Sequence, residues 1–554
     1  MLPSSAPPEP INGPAIGRGR LAAVAIAGLV MVALVAGPTL TDISAALRVA
    51  RVSTPLLAPA SSPDEVTVAL STPATLDPAA AGDAASAAVI AQVFESLTTV
   101  DANLVVRPAL AESWAFRDGG KTVVFTLRDG LTFSDGTPLT AADVKRSWLR
   151  VIDPKTPSPL ASLLDDVVGA ADLAHGRGTA DAVGIEADGN TLTVHMTRPA
   201  TDFAAVVASP TLAVVPPGLR TIPAPLVPGT NFVASGGYVP TSATASGIEL
   251  TANDRYWAGR PAIRDVHVRT TLDGASPVQA FQDGKVDLTS VAPYDASWIA
   301  YDGSLGPDLR KGTSLSLEYF GFDTRKPPFD DARVRKAFAS AIDWNRLVKL
   351  GTDGSEEPAT SMVPPAVPGR SSQDFVPAFD PTAARELMAQ AGYPGGRGFP
   401  AITLVTAGNA YAAAIAAQLK ENLGVTIATE SMDFTQYFDR LQADPFAFWA
   451  VDWIADYPAR TATLRLLLGS GQTNNYGRWS SPAFDAALSE GSSATDPAVA
   501  AAAFDRAEGI VRDEAPVVPF SYSTSWWLSR DGLLGAGENG LGFIRLAGLD
   551  WARP

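Results

Sequence analysis

Polar and apolar positions alternate along "EVTVAL" (Glu65 to Leu70), the pattern of a strand with one buried face. The same reading gives strands at "TVVFTL" (Thr122 to Leu127) and "TLTVHM" (Thr191 to Met196), and a buried strand at "AITLVTA" (Ala401 to Ala407). Helical spacing predicts a helix over "ASAAVIAQVFESL", with Val89, Val93 and Leu97 along one face. It predicts others over Asp331–Leu350, over "PTAARELMAQAGY" with Gly392 as C-terminal cap, and over "DPAVAAAAFDRAEGIVRDEA". The helix "AAAIAAQLKENLG", between "AITLVTA" and the strand "VTIATE", completes a βαβ unit. "LRDGLTFSDGTPLTAADVKRSW" (Leu127 to Trp148) reads as a strand, a turn at Asp135-Gly136, and a helix started by a capping box of Thr140 and Asp143. Strands and helices alternate throughout, so the fold class is α/β.

A chain of 554 residues exceeds what one hydrophobic core serves, and two to four domains are expected. Charge changes the picture by exclusion. A net charge of −16 opposes nucleic acid, whose phosphates are held by Lys and Arg, and opposes a polybasic membrane patch. With no cysteine there are no disulfides, thiolate metal sites or cysteine nucleophiles. The three histidines are scattered, and the H-E-x-x-H, G-x-S-x-G and P-loop patterns are absent. No catalytic residue, cofactor or metal site is assigned. Among adjacent carboxylates, Asp165-Asp166 reads as a solvated helix end, and Asp330-Asp331 opens a helix at the positive end of its dipole. An enzyme is therefore not expected.

The N-terminus suggests a compartment. Residues 1–20 are polar and carry Arg18 and Arg20, while Leu21–Gly37 hold no charge in 17 residues. That segment is a signal-peptide core or an uncleaved membrane anchor, and both readings export the body of the chain. Residues 38–64 read as a flexible tether that includes one short helix in "ISAALRVARV". The folded body begins near Glu65.

A series of blocks gives the body a family. "PALAESWAF" (Pro108 to Phe116) precedes the Leu127–Trp148 stretch. "NDRYWAGRPAI", "AFQDGKVDL", "FGFDTRKPPFDDARVRKAFASAIDWNRLV", "AGYPGG", "QLKENLGV", "DWIADYP" and "APVVPFSY" come after it in order. Together they resemble the extracellular solute-binding proteins of family 5, the peptide- and nickel-binding components of ABC importers, most of all the oligopeptide and dipeptide binders. The resemblance runs from about Glu65 to the C-terminus. It implies a two-lobed periplasmic-binding-protein clamshell that closes by a hinge. Lobe 1 would comprise residues 65–317 and 526–554, with an extra small subdomain at about 101–200; lobe 2 would comprise 318–525. It also implies a short-peptide ligand, ABC permease subunits with an ATPase as partners, and a monomer.

The resemblance extends to site residues. Asp456, in the "ADY" element, would pair with a peptide's α-ammonium; read without the family, the same residue caps a helix or closes the turn before Pro458. Trp453, Ile454 and Tyr457 would border the ligand, and the segment around Thr75 would supply main-chain contacts. Some oligopeptide binders carry an arginine six residues before the aspartate, for the peptide carboxylate; here that position is Ala450, and Arg440 is the candidate substitute. The alternative readings are another solute (a β-linked oligosaccharide, an opine or chelated nickel) or a non-transport sensor or envelope factor that kept the fold.

Overall fold

The computed structural model describes residues 62–219, 232–351 and 356–553, all within one unit, Ala60–Pro554. The predicted leader, hydrophobic segment and most of the tether lie outside the described residues. No helix among the described residues is long and apolar enough to cross a membrane.

Twelve strands form one mixed sheet: β1 (Glu65–Ala69), β2 (Tyr238–Thr244), β3 (Gly247–Ala252), β4 (Asp265–Arg269), β5 (Leu288–Ser290), β6 (Leu309–Thr313), β7 (Ser316–Phe322), β8 (Glu356–Pro358), β9 (Thr403–Thr406), β10 (Ala428–Ser431), β11 (Phe448–Ile454) and β12 (Val517–Ser529). Their spatial order is β10-β9-β11-β7-β12-β5-β1-β4-β3-β2, with β6 and β8 also on β12. The thirteen-residue β12 belongs to both halves. Its first part, Val517–Ser521, pairs with β7, and its last part, Thr524–Ser529, pairs with β6 and β5. The βαβ unit is present, with β9 and β10 parallel on either side of the helix Ala412–Leu423.

A separate antiparallel sheet of four strands, Ala111–Arg117, Thr122–Leu127, Thr191–His195 and Ile185–Asp188, lies within residues 111–195. Against it packs the helix Ala141–Val151, begun by the Thr140/Asp143 box and carrying the fully buried Trp148. The Asp135-Gly136 turn forms as expected: Asp135 accepts from the Thr137 backbone N–H at 2.9 Å, and Gly136 has φ +88°.

Alternation along the strands divides the core. Phe320, Phe322, Phe448, Val518 and Phe520 pack on one face with helix residues such as Phe338 and Leu419. Leu317, Tyr319, Trp449 and Val451 point the other way, into a cluster that also holds Phe125, Trp148 and Phe203.

Three expectations need correction. The first helix spans Ala84–Val93; Phe94 is already extended, so Leu97 is off the helix, in the core beside the strand Thr98–Val100. The predicted Asp331–Leu350 helix is two, Ala332–Ser340 and Trp344–Gly351. The break is held by the Trp344 indole, which donates to the Ala339 carbonyl, and by the Asp343 N–H, which donates to Gln418. Finally, Asp165 and Asp166 are no solvated helix end. Asp166 lies between Arg198, at 2.6 Å, and Arg465, while burial pushes the Asp165 carboxyl up to about 6.

Candidate functional site

β11 and β7 run antiparallel, in register Leu317↔Trp453, Glu318↔Asp452, Tyr319↔Val451 and Phe320↔Ala450. Phe448, Ala450 and Asp452 therefore share one face, and Trp449, Val451 and Trp453 the other. The ladder extends one step beyond β11, because the Ala455 N–H donates to the Leu315 carbonyl at 3.1 Å. Asp456 comes next, where the chain leaves the sheet toward Pro458.

Asp456 is half-buried, and its Oδ2 is shut off from solvent without a hydrogen-bond partner. Burial pushes its carboxyl up to about 7, against a smaller downward pull from its own backbone N–H. It caps no helix, because the next one, Thr461–Leu468, has Arg460 at its N-cap. The nearest cation in sequence is committed elsewhere: Arg460 is 4% exposed and paired with Asp505, at 2.7 Å, and with Glu508. A carboxylate in this state is costly until a cation reaches it.

The other predicted residues are spread over different environments. Trp453 is half-buried against the core, its indole Nε1 likewise shielded and unpartnered. Ile454 is 37% exposed, near Gly542. Tyr457 is buried in the core and borders the Thr461, Asp202 and Arg465 group. Thr75 holds its own loop: its hydroxyl accepts from the Asp77 N–H at 3.0 Å, and its N–H donates to Ser86 Oγ at 3.1 Å. Arg440 is exposed in the last turn of the helix Phe434–Ala443, with its guanidinium 5.5 Å over the Phe446 ring. Trp453, Ile454, Asp456 and Tyr457 are thus brought together by one segment, while the described contacts of Thr75 and Arg440 are local. Ala450 is buried, and both its N–H and its carbonyl are bonded to the Tyr437 hydroxyl, at 3.2 and 2.7 Å.

Several neighbours were not anticipated. Tyr476 is close enough to Asp456 to feel its charge, and its ring stands edge-on to Trp449 at 6.0 Å. Trp449 in turn stands edge-on to Tyr319 at 5.6 Å. Tyr319 Oη and Trp449 Nε1 are buried without partners. On the opposite face, Glu318 meets Asp452 across the ladder, a placement that the lone acid in the apolar run "SLEYFGF" hints at.

A family model, "Bacterial extracellular solute-binding proteins, family 5 Middle", matches residues 105–475. The chain belongs to this family. It is a family of solute-binding proteins and not of enzymes. A probable deoxycholate-binding periplasmic protein of Escherichia coli strain K12, YgiS, is 31% identical over 474 residues, covering 82% of this chain and 86% of the relative. The oligopeptide-binding protein OppA of Bacillus subtilis strain 168 is 28% identical, covering 85% and 90%. Among solved structures, the murein tripeptide binding protein MppA of E. coli superposes with a TM-score of 0.77 at 26% identity, covering 88% of this chain and 99% of that one. The α/β fold of this family of binding proteins is therefore that of the present chain.

Proposed function

We propose that this chain is the exported substrate-binding component of an ABC importer, and that it captures short peptides and hands them to membrane permease subunits. The lobe limits inferred from the sequence, 65–317 with 526–554 and 318–525, belong to this reading, as does ligand uptake between the two lobes. Attachment by an uncleaved Leu21–Gly37 segment is its membrane-bound variant. The observation that carries it is the shielded, unpaired Asp456 carboxylate. A peptide's α-ammonium supplies the missing charge and forms a charge-assisted bond, roughly twice the strength of a neutral one. Relatives described as oligopeptide- and dipeptide-binding support the ligand class. Trp453 and Ile454 then border the ligand, Thr75 marks a loop that offers main-chain contacts, and Arg440 is available for the far carboxylate.

The relative described as deoxycholate-binding points to a second ligand class, an amphipathic anion. Asp456 opposes it, since a second negative charge beside an unpaired carboxylate is repelled.

The test is calorimetry with trialanine and with its N-acetyl derivative. Trialanine should bind. Acetylation, which removes the ammonium, and Asp456→Ala should each weaken binding by about 2–5 kcal/mol, the usual loss for a truncated buried charge pair. Equal binding of both peptides would overturn the assignment of Asp456, and binding of deoxycholate in preference to either would replace the ligand class.

A further inference from the structure

Glu318, Asp452 and Glu356 lie together on the sheet, and among the described residues no cation stands between them. Glu318 is directly opposite Asp452 across β7 and β11, an arrangement of like charges that destabilises a ladder. Along the β7–β12 pairing the register shifts between Tyr319 and Glu318, which puts Ser521 opposite Glu318. Bulges of this kind re-aim side chains and are enriched beside functional sites. Glu356 enters from β8, opposite Ser523.

Ser521 is fully buried, and its hydroxyl completes no hydrogen bond although it lies near enough to both Glu318 and Glu356 to favour their charged forms. Glu356 Oε2 is cut off from solvent and also has no partner. One neutral donor is in place, the Asn409 side-chain amide on Glu318 Oε1, and Tyr411 stands close to Glu318 and Glu356. Burial first, and the neighbouring carboxylates second, push the Glu318 carboxyl up to about 8. Asp452 is open to solvent, so the group is reachable. Nor is it shaped for a metal ion: no three acidic or histidine side chains among the described residues converge closely enough to hold one.

We infer that Glu318, Asp452 and Glu356, with the Ser521 hydroxyl, form a subsite for an organic ammonium or guanidinium group carried by the ligand in addition to its α-ammonium. The inference rests on the peptide reading and narrows it to peptides with a lysine or arginine side chain. Asp452 lies on the same segment as Asp456, four residues before it and at most about 14 Å of extended chain away. A strung-out set of carboxylates with one fixed amide suits an organic cation on a flexible stem, which can settle among several acceptors, better than a small metal ion that needs converging ligands.

The test uses the full chain and six tripeptides: alanine tripeptides with lysine at the first, second or third position, and the same three with norleucine, which keeps the apolar stem and removes the charge. At least one lysine peptide should bind tenfold or more tightly than its norleucine partner. In Glu318→Gln, that lysine-to-norleucine ratio should fall to near one. Asp452→Asn, at an exposed position, should reduce the ratio at least threefold and keeps the test open should Glu318→Gln fail to fold. Peptide binding with no lysine preference at any position would overturn the subsite and leave the peptide reading standing. Failure of all six peptides together with tight binding of spermidine would do the reverse, keeping the subsite and discarding the peptide. If neither peptides nor spermidine bind, both readings fall.

Discussion

The carboxylates of Asp456 and Glu318 are held in surroundings that favour their neutral forms, with the Asp456 carboxyl near 7 and the Glu318 carboxyl near 8. A carboxyl whose pKa is raised on folding binds its proton more tightly in the folded chain than in the unfolded one. Its contribution is therefore a penalty that is absent below about pH 4, grows as pH rises toward the folded pKa, and is complete above it. Asp456→Asn should accordingly raise the melting temperature of the ligand-free protein at pH 8.5 and do little at pH 4, as differential scanning calorimetry can show. With trialanine present the sign should reverse at pH 8.5, because the asparagine variant loses the bound ammonium. By the same linkage, the affinity of the wild type for trialanine should fall as pH drops from 8 to 5, since the ammonium must displace a proton from Asp456. A flat affinity over that range would mean that Asp456 does not meet the ammonium.

At the scale of elements, β11 owes its position to more than its own ladder. The Tyr437 hydroxyl, on the helix Phe434–Ala443, accepts from the Ala450 N–H and donates toward the Ala450 and Val405 carbonyls, so it ties β11 to β9. Tyr437→Phe leaves buried backbone groups unpaired and should cost about 1–3 kcal/mol in urea denaturation. None of this was legible beforehand, since a tyrosine in an amphipathic helix carries no mark of the strand it will bond. What was legible came from local chemistry: the Thr140/Asp143 box and the Asp135-Gly136 turn form where the sequence puts them, and the β9-helix-β10 unit forms with its second strand starting three residues later than "VTIATE" implies, at Ala428–Ser431. The errors were of another kind. The Ala332–Gly351 region reads as one helix because its apolar spacing survives the break, and only tertiary bonds from Trp344 and Asp343 end it. Glu318, Glu356 and Ser521 come from three strands far apart in the chain, and no window of sequence contains them together. Asp456 could be singled out, with Trp453, Ile454 and Tyr457, because the continuous "DWIADYP" block resembles its family; read without that resemblance it was a cap or a turn.

Over the whole molecule, the segment that leaves Asp456 is tied back to the region of the four-stranded sheet. Arg465, on the helix Thr461–Leu468, meets Asp166, which also pairs with Arg198; the Thr461 hydroxyl donates to Asp202. These side chains are at most about a quarter exposed, so removing the shared anion leaves two poorly hydrated cations facing each other. Asp166→Asn should destabilise the protein by about 3 kcal/mol by urea denaturation, and the paired change Asp166→Leu with Arg465→Met should cost less. If the single substitution were neutral, the pair would be screened by water and could not restrain that segment.

β12 lies late in the chain and in the middle of the sheet, with β7 and β11 on one side and β5 and β1 on the other. Until its residues emerge from the ribosome, β7 and β5 each lack the neighbour that joins them. A nascent chain in that state offers open strand edges, and the long-range pairing that would close them waits for Val517–Ser529. The same open edges leave an exported polypeptide extended enough to be threaded through a translocation pore, since the strand that joins its two sides is not yet there to pair.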